Sequence, residues 1–72
     1  MGRHNLYMFR CNMKLTQEEI AAKIGVSRST YRLIENGKRW GTLRFWSKLQ
    51  KAFNVTDVEL VKLQKIEERT EQ

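Results

Sequence analysis

LTQEEIAAKIGVSRSTYRLIENGKR, residues 15–39, decides the architecture. Thr16 stands directly before Gln17, Glu18 and Glu19. This spacing is a capping box: the threonine hydroxyl takes the Glu19 amide while the glutamate reaches back to the Thr16 amide. Ile20, Ala21 and Ile24 then recur on one helical face, and Gly25 stands where a left-handed residue ends a helix. Ser27 caps the next helix only two residues later, and that helix carries Tyr31 and Ile34 inward and stops at Asn36-Gly37. So short a turn makes the two helices cross steeply and share Ile20, Ile24, Val26, Tyr31 and Ile34 as a core. Ala21 faces the crossing, where a larger side chain would push them apart. The second helix is left with Arg28, Ser29, Arg32 and Leu33 facing outward. Short polar and basic side chains on a projecting helix suit the major groove, which is about 12 Å wide.

Working outward, a helix over residues 6–13 is expected, with Leu6, Phe9 and Met13 sharing a face and Asn5 as its cap. Thr42 caps a fourth helix whose buried row reads Leu43, Trp46, Leu49 and Phe53. Phe45 lies about 100° away and, with Leu49 and Ala52, forms a second stripe. Thr56 or Asp57 opens a fifth helix with Val58 and Val61 apolar, joined by Leu60 and Leu63. The Phe45 stripe, or Leu60 with Leu63, is the candidate dimer surface, a cover for the C-terminal tail being the alternative. Residues 67–72 carry only polar side chains and are expected to fray. The expected organisation is one all-α, five-helix domain over residues 1–66 and a polar tail over 67–72.

Composition narrows the function classes. The 72 residues make one small domain, and with 40% hydrophobic residues, four glycines and no proline they favour helices joined by short turns. The single cysteine, Cys11, has no internal disulfide partner, which fits a reducing, cytoplasmic setting. Cys11 and the lone His4 are too few for a structural zinc site, so no metal or cofactor is expected. No nucleophile, acid and base cluster appears, and an enzyme is the least supported class. Neither a membrane-length apolar stretch nor a signal peptide is visible. Residues 1–53 hold 11 Lys/Arg against 3 Asp/Glu, whereas residues 54–72 hold 3 against 5. A basic body of this kind suits a polyanion partner.

The run from Leu15 to Thr30, followed by Ile34-Glu35-Asn36-Gly37-Lys38-Arg39, resembles the Cro/C1-type, or XRE, helix-turn-helix family of phage-repressor-like domains. The resemblance covers about residues 6–55. It implies a compact lambda-repressor-like fold, a double-stranded operator as partner, transcriptional regulation (as a repressor of phage or mobile-element type), and a homodimer on a near-palindromic site. By position, Thr16 and Gln17 would meet the DNA backbone, where a helix N-terminus offers N–H groups to phosphate. Ser27, Arg28, Ser29, Arg32 and Leu33 would face base edges or nearby phosphates. Asn36, Lys38 and Arg39 would clasp the next stretch of backbone, with Thr42 adding a contact. Arg10 and Glu35 match a family pair that ties the first helix to the end of the third.

Three positions depart from the family pattern. Tyr31 replaces a branched aliphatic, so its hydroxyl is expected to reach a polar partner or the surface. Trp40-Gly41 replaces a polar-Pro loop and leaves an aromatic beside the DNA face. Gln50 stands where alanine is common. Two other readings share the fold: the antitoxin of a toxin–antitoxin pair, with a protein partner, and a protein-interaction adaptor.

Overall fold

The computed structural model describes residues 2–66. They form α1 (His4–Asn12), α2 (Gln17–Ile24), α3 (Arg28–Glu35), α4 (Leu43–Phe53) and α5 (Asp57–Gln64). Four of these helices open in the same way. The hydroxyls of Thr16, Ser27, Thr42 and Thr56 each accept the amide three residues ahead, which closes one of the donors a helix start leaves open. The Thr16 box is complete, with Glu19 Oε1 accepting the Thr16 amide at 2.9 Å.

Helix α1 is the exception. Arg3 is its N-cap residue, and no side chain caps it. Asn5, expected to cap, lies inside the helix, and its amide donates to the Lys62 carbonyl at 3.1 Å. Its side chain serves the end of α5 instead of the start of α1.

The core joins Leu6 of α1, Ile20, Ala21 and Ile24 of α2, Tyr31 and Ile34 of α3, and Phe45, Trp46 and Leu49 of α4. Val55 and Leu63 close it below, with Phe9, Met13 and Phe53 packed against its margin. Two expected faces are rotated. Leu43, placed in the buried row, is 84% exposed, whereas Phe45 is 3% exposed. Leu43 is the first residue of α4, one step past the cap, so the inward face starts at Phe45 and Trp46. Phe45 and Leu49 are therefore consumed by the chain's own core, and the stripe offered as a dimer surface is not available.

The fifth helix turns likewise. Val58 and Val61 are exposed, Leu63 is buried and Leu60 half-buried. Apolar residues surround α5, and its packing on α1 selects the leucine side. Leu60 and Leu63 thus leave the list of candidate dimer residues. The tail expected to fray lies outside the described residues.

The position that local sequence does not mark is Arg3, which is 1% exposed. Its guanidinium donates to the Ile34 carbonyl, to the Arg39 carbonyl at 2.9 Å and to the Trp40 carbonyl at 3.2 Å. Its Nε donates to the Gln64 carbonyl at 2.9 Å, and its backbone amide to the Glu35 carbonyl at 2.8 Å. The charge also lies 5.4 Å from the centre of the Trp46 ring, within cation–π range. Burial pushes its pKa below the ordinary arginine value, yet a guanidinium keeps its proton in proteins. Carbonyls at the ends of α3 and α5 supply the partial negative charge that a carboxylate would otherwise provide. Arg3 thereby ties the loop before α4 to two helix ends.

Replacing it strands those carbonyls in the interior. Arg3→Met is expected to cost about 3 kcal/mol, because each buried acceptor left unpaired loses about 1–3 kcal/mol. Thermal unfolding followed by circular dichroism reads this directly; a melting temperature within a degree or two of the parent contradicts it.

Candidate nucleic-acid interface

The candidate surface is built on the turn between α2 and α3. Gly25 takes φ +89°, a left-handed conformation in which a Cβ is strained. Its amide and that of Val26 both return to the Ala21 carbonyl, at 2.8 and 3.0 Å. The chain then restarts at Ser27, whose Oγ accepts the Thr30 amide at 3.1 Å. Helix α3 lies with Tyr31, Ile34 and Glu35 buried, while Arg28, Ser29 and Arg32 are exposed and Leu33 is half-buried. None of the three outward polar side chains is absorbed by packing. The lone carboxylate of α3, Glu35, is turned into the protein.

A buried polar network sets how that helix is held. Glu35 Oε2 lies 3.2 Å from Arg10 Nε, and Glu35 Oε1 accepts from Gln17 Nε2 at 2.7 Å. Arg10 also donates to the Leu15 carbonyl at 2.8 Å. Three helices, α1, α2 and α3, meet on one carboxylate, and Arg10 ties the segment before α2 to the same network through the Leu15 carbonyl. Burial alone would lower the Arg10 pKa, but the hydrogen bond and charge of Glu35 outweigh it and raise it.

Beneath this network the Tyr31 hydroxyl is buried with no hydrogen-bond partner among the described residues. It reaches neither the surface nor a polar group, contrary to expectation. The ring packs in the core, its centroid 6.3 Å from that of Phe45 in α4. Burial pushes the phenol well above its ordinary pKa, Glu35 adds to the rise and Arg10 opposes it.

The other expected contacts cluster around α3. Thr16 is exposed at the start of α2, and Gln17 is half-buried, its amide spent partly on Glu35. The Glu19 amide is taken by Thr16 Oγ1 at 3.0 Å, while a helix start leaves the amides of Gln17 and Glu18 without intrahelical acceptors, and these and the second Gln17 side-chain N–H are hydrogen-bond donors. Asn36, Lys38, Arg39 and Thr42 are exposed. The amides of Lys38 and Arg39 fold back onto the Leu33 carbonyl at 2.9 and 3.2 Å, which keeps these two cations beside the last turn of α3. Trp40 projects next to them, 76% exposed.

Sequence reasoning missed part of this edge. A hollow of about 420 Å³ between α3 and α4 has Val26, Ile34 and Phe45 as walls and Thr30, Lys38, Arg39, Arg44 and Lys48 at its rim. Neither Arg44 nor Lys48 belongs to a motif in the amino-acid sequence. Their one legible sign is the Thr42 cap, which places Arg44 in the first turn of α4 and Lys48 one turn on. Among the described residues, no cluster of three His, Cys, Asp or Glu could hold a metal. His4 is exposed, and Cys11 is half-buried and free.

The helix-turn-helix family model matches residues 6–60. A protein of Archaeoglobus fulgidus named as an uncharacterized HTH-type transcriptional regulator is 40% identical over 52 residues, covering 72% of this chain and 74% of the relative. A protein of Methanocaldococcus jannaschii bearing the same description is 42% identical over 53 residues, covering 74% and 80%. A second such regulator from Archaeoglobus fulgidus is 36% identical over 52 residues, covering 72% and 73%. No solved structure gives a significant match.

Two substitutions probe the support under the exposed helix. Arg10→Met leaves Glu35 buried beside Gln17 alone and is expected to cost about 3 kcal/mol, while Arg10→Met with Glu35→Leu costs less, since no charge is left unpaired. A double variant less stable than the single one contradicts the pairing. Tyr31→Phe removes an unpartnered hydroxyl and is expected to raise stability by about 1 kcal/mol. The raised phenol pKa favours folding below the unfolded value near 10, and that support is lost as pH rises beyond it. The parent should therefore weaken above about pH 10 more steeply than Tyr31→Phe; parallel pH curves from urea melts would refute this.

Proposed function

The chain belongs to the helix-turn-helix family of transcriptional regulators, and on that premise we propose that it represses transcription by reading the major groove of double-stranded DNA with α3. DNA binding is the common property of the family. The reading helix and the outcome are the finer steps. One observation carries them: Arg28, Ser29 and Arg32 stand exposed together on α3, whose carboxylate is turned inward onto Arg10 and Gln17. Arg28 is placed to grip guanine through two hydrogen bonds, and Leu33 to touch a thymine methyl. Ser27 and Ser29 add hydroxyls near the groove edge.

Thr16 and Gln17 at the start of α2 contact the backbone on one side. Asn36, Lys38, Arg39 and Thr42 clasp it on the other, with Arg44 extending the same edge. Repression needs nothing beyond occupancy of the site, which fits a small reader of the phage-repressor type acting in the cytoplasm. Residues 1–66 constitute this reader and residues 67–72 a polar extension. Two copies on a near-palindromic site would set their reading helices about 34 Å apart, one turn of duplex.

Selection from random duplexes followed by gel-shift titration tests the reading. Arg28→Ala should cost about 1–3 kcal/mol on the selected site and relax its base preference. Lys38→Ala should weaken all sequences alike and reduce the salt slope by about one contact's worth, roughly 0.9. If neither substitution changes binding, α3 is not the reader. If pooled duplexes fail to bind at low salt, the fold serves protein contact instead.

A further inference from the structure

The hollow between α3 and α4 holds more than a phosphate contact needs. Its walls are Val26, Ile34 and Phe45, and its space is about 420 Å³, within the roughly 300–1,000 Å³ of small-molecule pockets. Four cations stand at the rim: Lys38 and Arg39 just after α3, and Arg44 and Lys48 on successive turns of α4. We propose that this hollow binds a small organic acid, a carboxylate on an apolar body of about eight to ten carbons, and that the bound acid excludes DNA. The exclusion rests on the DNA reading, whereas the binding of the acid does not.

Rim and walls ask for the two halves of such a molecule. Among the described residues no carboxylate pairs with any of the four cations, so their mutual repulsion is not offset within the protein. Lys48 Nζ lies 3.9 Å from where a Cβ on Gly25 would stand, which brings its ammonium across from α4 to the turn that carries Val26. Lys38 and Arg39 are held at the end of α3 by their amides on the Leu33 carbonyl. An anionic head among these charges relieves the repulsion, and an apolar body gains by leaving water for the walls. The floor is firm, since Ile34 and Phe45 belong to the core and are 1% and 3% exposed. The hollow is thus formed before any ligand arrives, as small-molecule sites usually are.

Other occupants use only part of the site. A phosphate of the duplex meets the cations and leaves the walls without a partner. A neutral lipid meets the walls and leaves the cations unpaired. Lys38, Arg39 and Arg44 are the groups that the DNA reading assigns to phosphates, so the head of the acid and the duplex backbone compete for the same charges. The effector site then lies within the reading domain itself, and no change of conformation is needed to couple the two ligands.

Backbone amide NMR of the full chain, titrated with octanoate from about 10 µM to about 10 mM, reads the binding in the range of a small ligand. Saturable shifts are expected at Val26, Ile34, Phe45 and their neighbours. Octanol, which lacks the charge, and acetate, which lacks the body, should each bind at least tenfold more weakly. Val26→Phe fills the hollow and should weaken octanoate at least tenfold while keeping the parent's melting curve and duplex affinity. Should that variant not fold, Lys48→Glu at the exposed rim tests the same point: octanoate weakens at least tenfold and octanol does not change. In gel shifts, octanoate at ten times its own dissociation constant should weaken the parent's duplex binding about tenfold. Shifts that fail to saturate or that spread over the whole chain overturn the site, as do octanol binding as tightly as octanoate and folded variants that bind octanoate like the parent. Duplex affinity unmoved by saturating octanoate overturns the exclusion. A chain that binds octanoate as described but no duplex at low salt leaves the site standing and sinks the DNA reading instead.

Discussion

The last turn of α3 is gripped from the N-terminal segment by two arginines, and the direction of the exposed helix depends on that grip. Arg10 takes the Glu35 carboxylate, while Arg3 takes the Ile34 carbonyl with its side chain and the Glu35 carbonyl with its amide. An eight-residue helix is marginal by itself. Its axis is set by what it packs on, and apolar contacts with Tyr31 and Ile34 alone would permit sliding and tilting. Hydrogen bonds are directional and remove that freedom. The same Arg3 side chain binds the Arg39 and Trp40 carbonyls, so the cationic loop and the exposed helix are positioned by one group.

This arrangement places unusually demanding polar groups in the interior of a small domain. Arg3 is a buried cation satisfied by carbonyls and two indole faces, and the Tyr31 hydroxyl has no partner among the described residues. The backbone carbonyls that Arg3 satisfies cannot be replaced along with it, so an apolar residue at this position leaves them unpaired. What the polar groups add is a unique geometry, since a guanidinium aligned on several carbonyls tolerates little displacement. That grip fixes the angle at which α3 presents Arg28, Ser29 and Arg32 to solvent.

Charge divides the surface into two faces. Lys38, Arg39, Arg44 and Lys48 ring the hollow beside α3, while Asp57 and Glu59 begin α5. The first face carries the field that attracts a polyanion.

Much of the fold was legible in the amino-acid sequence because its signals are local. The Thr16 box, Gly25, Ser27 and the Thr42 cap act within a few residues, so the boundaries of α2, α3 and α4 and the outward set on α3 follow from short spacings. Long-range choices were not legible. Leu43 against Phe45, and Val58 with Val61 against Leu60 with Leu63, are pairs of apolar residues that periodicity alone cannot rank, and contact with α1 and the core decides between them. Asn5 looked like a cap because its partner carbonyl lies 57 residues away. Arg3 looked like any terminal cation because its acceptors lie 31 to 61 residues on. Helix starts and stops are closed by neighbours in the chain, whereas the face a helix buries is chosen by elements it meets only after the chain has folded.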